Sequence, residues 1–161
     1  MTGSSGPGGA SVADRLKALG IDLPPVPQPL AIYRPAVRTR DLVYVSGQLP
    51  TVDGKILHPG RLGVDVTIEQ AKAAARVAAI NALAAANTLL GTLEGCRVIR
   101  TVGMVACAPE FTDHPAVVNG ASELLRDVFG EEHGIGVRLA YGIASLPLNS
   151  PIEVELLLEV D

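Results

Sequence analysis

The sequence predicts one α+β domain in which a mixed β-sheet carries two long helices on one face. Three observations lead there. Two long segments have helix start signals, at Thr67 and near Asp113-His114-Pro115, and run to Gly91 and Gly130. Five or six shorter segments are rich in β-formers and stop at turn residues. Their order, ββ(β)αβαββ, suits two amphipathic helices lying side by side on a sheet. A length of 161 residues, 48% of them hydrophobic, is enough to bury a core without disulfides or a structural metal.

The elements follow in chain order. Residues 1–10 are rich in Gly and Ser and read as a disordered tail. Residues 11–29 form an extension: Ser11-Val12-Ala13-Asp14 caps a short helix that stops at Gly20, and Pro24, Pro25, Pro27 and Pro29 hold an extended linker. The main domain spans 30–161. Residues 31–37 and 42–46 read as a hairpin around the polar Arg38-Thr39-Arg40-Asp41. Asp53-Gly54 marks a turn before a short third strand at 55–58. Thr67-Ile68-Glu69-Gln70 is a capping box opening an Ala-rich helix to about Leu90. Residues 97–106 alternate as a strand. The second long helix, with Pro in its first turn, follows and ends at Gly130. Strands at 136–145 and 152–160 close the chain around a turn at 146–151.

Composition excludes several function classes. The net charge is −4, aromatic residues make up 3%, and the only basic cluster is Arg34, Arg38 and Arg40. A nucleic-acid surface needs a basic stripe with stacking aromatics, so no nucleic-acid partner is expected. Cys96 and Cys107 are widely spaced and read as free thiols of a reducing, cytoplasmic compartment. No membrane span and no secretory signal are expected. His58, His114 and His133 lack ligand spacing, so no metal is expected, and no Gly-rich phosphate loop calls for a nucleotide or other cofactor. Cys107 reads as a small buried hydrophobe, with no base assignable to it.

The last strand places Ile152, Val154, Leu156, Leu158 and Val160 on one face and Glu153, Glu155, Leu157 and Glu159 on the other. The first set should meet the helices. The second fits a subunit interface with polar pockets, or alternatively a solvated sheet face. Arg138 shares its strand face with the small Ala140 and Gly142, which leave room around a guanidinium. Such an Arg either grips a carboxylate through its planar fork or pairs with Glu153, Glu155 or Glu159. Glu153 has Glu155 on its own face and can hold or move a proton if partly buried; otherwise it is a solvated strand-edge residue or the partner of Arg138. Asn119 is either a pocket amide or a solvent-facing helical residue, and Tyr33 either a pocket wall or a core aromatic.

Three segments, in order and at matching intervals, resemble the RidA/YjgF family of reactive intermediate deaminases. The first is Tyr33-Arg34-Pro35-Ala36-Val37 with Leu42-Val43-Tyr44-Val45-Ser46-Gly47-Gln48-Leu49-Pro50; the second is Val118-Asn119; the third is Arg138, then Leu146-Pro147, then Ile152-Glu153-Val154-Glu155. The resemblance implies a chorismate-mutase-like fold and a homotrimer with sites between subunits. It also implies hydrolysis of enamine or imine acids to 2-keto acids and ammonia. In that chemistry Arg138 would hold the carboxylate of a 2-keto or 2-imino acid and Glu153 would position or activate water. Tyr33, Ser46 and Asn119 would be polar pocket residues. Ala140 stands where classical members often carry Cys, and the Ala-rich run 71–86 replaces a Thr/Gln pattern, which marks a separate branch. The alternative function is a non-catalytic module that binds a small organic acid.

Overall fold

A computed structural model describes residues 9–161; most of the expected disordered tail, residues 1–8, lies outside them. The elements are α1 (Val12–Ala18), β1 (Ala36–Thr39), β2 (Leu42–Gln48), β3 (Thr51–Val52), β4 (Lys55–Ile56), α2 (Ile68–Leu90), β5 (Cys96–Ala106), α3 (His114–Gly134), β6 (Val137–Ile143) and β7 (Ile152–Val160). The main sheet runs β1-β2-β7-β5-β6. Only β5 and β6 pair in parallel, and α3 is the crossover that this pairing requires. β7 lies in the centre, antiparallel to both β2 and β5.

Local chemistry sets the helix ends. The side chain of Thr67 accepts from the Gln70 amide at 3.2 Å, and the Gln70 side chain accepts from the Thr67 amide at 3.0 Å. Two of the helix's orphan donors are thereby satisfied. α2 ends at Gly91, whose φ of 80° only glycine adopts without strain. Its buried face is nearly all alanine: Ala71, Ala74, Ala75, Ala78, Ala79, Ala82, Ala85 and Ala86. Such a face lets α3 approach so closely that a Cβ on Gly120 would strike the Lys72 carbonyl. α2 is also long and apolar enough to cross a membrane by length and composition, against the expectation that no apolar run would be. In this fold it is instead the central core helix, packed on β2, β7 and α3.

Both long helices lie on one face of the sheet, as expected. That face presents Val43, Val45, Val105, Ile152, Val154, Leu156 and Leu158, all buried. Strand pairing puts Tyr44, Met104, Leu139, Tyr141, Glu153, Glu155 and Leu157 on the opposite face, which nothing covers among the described residues. α1 and the chain after it pack on the body through Val12, Leu16, Ile21, Leu23 and Val26.

Two local expectations need correction. The first strand begins at Ala36 rather than Ala31, and Arg38 and Thr39 belong to its ladder. Pro35 offers no N–H to an earlier ladder, and Arg40 at φ 53° lets a two-residue turn suffice. The third strand is a separate small hairpin of β3 and β4 around Asp53-Gly54, not part of the main sheet. The second long helix breaks at Gly130, as expected: that glycine leaves the helical region at φ 83°, and a further short turn runs on to Gly134.

Candidate functional site

Arg138 pairs with Thr101 in the β5–β6 register, which turns its side chain to the helix face of the sheet's edge. Its Nη1 donates to Asn119 Oδ1 at 2.7 Å and to Ser122 Oγ at 3.2 Å. Asn119 and Ser122 are three residues apart on α3, hence on one side of that helix. Both are neutral acceptors, so they fix the guanidinium without cancelling its charge, and among the described residues nothing accepts from Nη2 or Nε, which leaves them for a ligand. Within one chain Arg138 makes no ion pair among the described residues. Among the described residues the ion pairs are Lys72–Glu123, Arg97–Glu159 and Arg126–Asp127. Asn119 is exposed, as a solvent-facing residue would be, yet it also orients Arg138. Ser122 was not singled out from sequence; its spacing from Asn119 was the available signal.

Glu153 lies on the other face, opposite Met104. It is partly buried, and its carboxylate fills the space that a Cβ on Gly47 would take, so glycine at 47 is what admits it. Burial pushes the Glu153 carboxyl above its ordinary value, and the Glu155 charge beside it adds to the rise. Ser46 precedes Gly47 and donates from Oγ to the Arg34 carbonyl at 2.6 Å. Tyr33 is 44% exposed, so it is not a core aromatic, and it lines a small cavity with Gly47, Gln48 and residues of the Pro-rich linker.

The candidates thus form two groups. Tyr33, Ser46, Gly47 and Glu153 gather where β2 ends and β7 begins, while Arg138, Asn119 and Ser122 gather between β6 and α3. β5 separates β7 from β6, and Arg138 lies three register positions from the Glu153 row. The two residues are therefore about 10 Å apart across the sheet and about 10 Å along it, on opposite faces. No small molecule can touch both within one chain.

Comparison with known proteins agrees with this architecture. The family described as "YjgF/chorismate mutase-like, putative endoribonuclease" matches residues 13–160. Protein TCP17 of Trypanosoma cruzi is 38% identical over 151 residues, covering 93% of this chain and 94% of that protein. A structure from Agrobacterium tumefaciens, described as of unknown function, is 43% identical with a TM-score of 0.86, covering 93% of this chain and 92% of the other. A structure from Shewanella oneidensis that carries the same endoribonuclease description is 34% identical with a TM-score of 0.89, covering 94% of this chain and 100% of the other. With a match across nearly the whole chain, and with the sheet and helices arranged as its motifs imply, the chain belongs to the YjgF/chorismate-mutase-like family.

Proposed function

We propose that this protein binds small 2-keto and 2-imino acids and hydrolyses enamine or imine acids, at sites shared between the subunits of a homotrimer. One observation carries the proposal: the candidate residues divide into a cationic group and an acidic group that a single chain keeps apart. A composite site needs a second copy, and two features of the chain suit one. Arg138 stands on an edge strand, and the outer sheet face exposes Val37, Tyr44, Val137, Leu139, Tyr141 and Ile143. That is more apolar surface than a solvated sheet face usually carries. The number three comes from the family resemblance.

In the composite site Arg138 grips the substrate carboxylate through its free N–H groups, with Asn119 and Ser122 holding the guanidinium in place. Glu153 of a neighbouring copy faces the reacting carbon. A carboxyl raised above its ordinary value keeps its proton to higher pH than a free one, which suits it to giving and taking a proton. It protonates the enamine carbon to give the imine, then takes a proton from the water that attacks the C=N carbon. The tetrahedral intermediate expels ammonia and leaves the 2-keto acid. Ser46 and Tyr33 supply polar contacts on the Glu153 side. The test is to mix the purified protein with freshly generated 2-aminoacrylate and follow its decay beside that of buffer alone. Accelerated decay with ammonia release is expected. Unaccelerated decay together with tight pyruvate binding would leave only a binding role.

A further inference from the structure

The last residue of β5 is Ala106, and Cys107 follows it, buried at the mouth of a cavity of about 390 Å³. Its Sγ lies 3.5 Å from Nε2 of His114, the first residue of α3. From sequence no base could be given to this thiol; the fold brings one from seven residues away. Phe111 meets the imidazole edge-on at 5.5 Å and steadies it. Gly142 of β6 makes room for the pair: a Cβ there would fall 2.5 Å from Nε2 and 2.7 Å from Sγ. Arg61, Thr112 and Ile143 complete much of the cavity wall. The other thiol is a buried core group. Cys96 sits at the far end of β5, has no side-chain hydrogen bond among the described residues, and is pushed up to about 11, first of all by burial.

We propose that Cys107 and His114 form a thiol–imidazole pair that adds to small α,β-unsaturated carboxylates entering this cavity. The pair supplies the nucleophile and its base within reach of each other. The cavity has the volume of a small-molecule site, and Arg61 provides a cation for the acid group. In the step, His114 Nε2 takes the thiol proton. The sulfur electron pair forms an S–C bond to the β-carbon, and the π pair moves to the α-carbon. The imidazolium then returns the proton to that carbon. The product is a thioether, with no leaving group and no change in redox state. None of these side chains belongs to the Arg138 or Glu153 groups, so the proposal stands independently of the deaminase reading.

The experiment treats the native protein with acrylate and follows each cysteine by peptide mass spectrometry. Cys107 should be labelled much faster than Cys96. His114→Gln should slow Cys107 labelling about a hundredfold, the lower end of what a positioned base contributes. Arg61→Gln should lower the rate with acrylate relative to that with neutral acrylamide. Equal labelling of the two thiols, or an unchanged Cys107 rate in folded His114→Gln, would show a core thiol and overturn the proposal. If His114→Gln fails to fold, the wild-type ratio of the two thiols and the acrylate-to-acrylamide ratio in Arg61→Gln decide it.

Discussion

Arg138 owes its reach to its neighbours more than to its own strand. Two neutral acceptors on α3, Asn119 and Ser122, aim it. Truncating one partner of a buried, hydrogen-bonded charge pair costs roughly 2–5 kcal/mol, so Arg138→Ala should weaken pyruvate binding at least about a hundredfold by calorimetry. Arg138→Lys should recover only part, since an ammonium is a point charge and cannot form the fork. Similar affinity in all three proteins would return Arg138 to a structural role. Glu153→Gln should keep binding and lose turnover, because the amide keeps the shape without the titratable proton. The same variant has a stability signature. Since the Glu153 carboxyl is raised in the folded chain, the fold holds that proton more tightly than the unfolded chain does. Its stabilising effect is therefore complete below the ordinary carboxyl range and is lost as pH rises through the folded value. Glu153→Gln should match wild type in acid and exceed it towards neutrality, read from urea midpoints across pH. The opposite trend would show that the folded protein does not raise the Glu153 carboxyl.

At the scale of elements, α3 lies close against α2. The alanine face of α2 was legible in the sequence, but its purpose becomes concrete only at Gly120, where even one methyl meets backbone. Backbone cannot rotate away as a side chain can. Gly120→Ala should cost about 1–3 kcal/mol by overpacking, measured by urea unfolding, in spite of alanine's better helix propensity. No loss would mean the helices can slide apart freely. Helix starts were the most readable feature, because the N-cap at Ser11 and the capping box at Thr67 are decided within four residues. Strand limits were less readable. β1 and the β3–β4 hairpin depend on which ladder partner lies opposite, and that partner is not a neighbour in sequence.

For the whole molecule, the open sheet face and the β6 edge lead to an assembly prediction. Light scattering should give a trimer, and Leu139→Lys, at an outer position 46% exposed in the single chain, should shift it towards monomer while the subunit stays folded. A monomer at every concentration would remove the composite site. RNA cleavage at physiological salt should be absent from the purified trimer. The net charge of −4 and 3% aromatic content provide neither the phosphate contacts nor the stacking surface. Activity that copurifies and disappears in a point variant would reverse this.

The sequence by itself determined the α+β class, the two long helices and the alternation of β7, since each rests on a short-range period or a cap. It also named Arg138, Glu153, Tyr33, Ser46 and Asn119 as candidates, through motif spacing. Tertiary structure alone decided how they group. Placing β7 in the centre and β6 at the edge puts Glu153 and Arg138 on opposite faces, and the same packing brings Cys107 to His114. Periodicity tells which face of its own strand a residue occupies. Which strands become neighbours, and in what register, is settled by burial of the whole core at once, so no local stretch of the chain carries it.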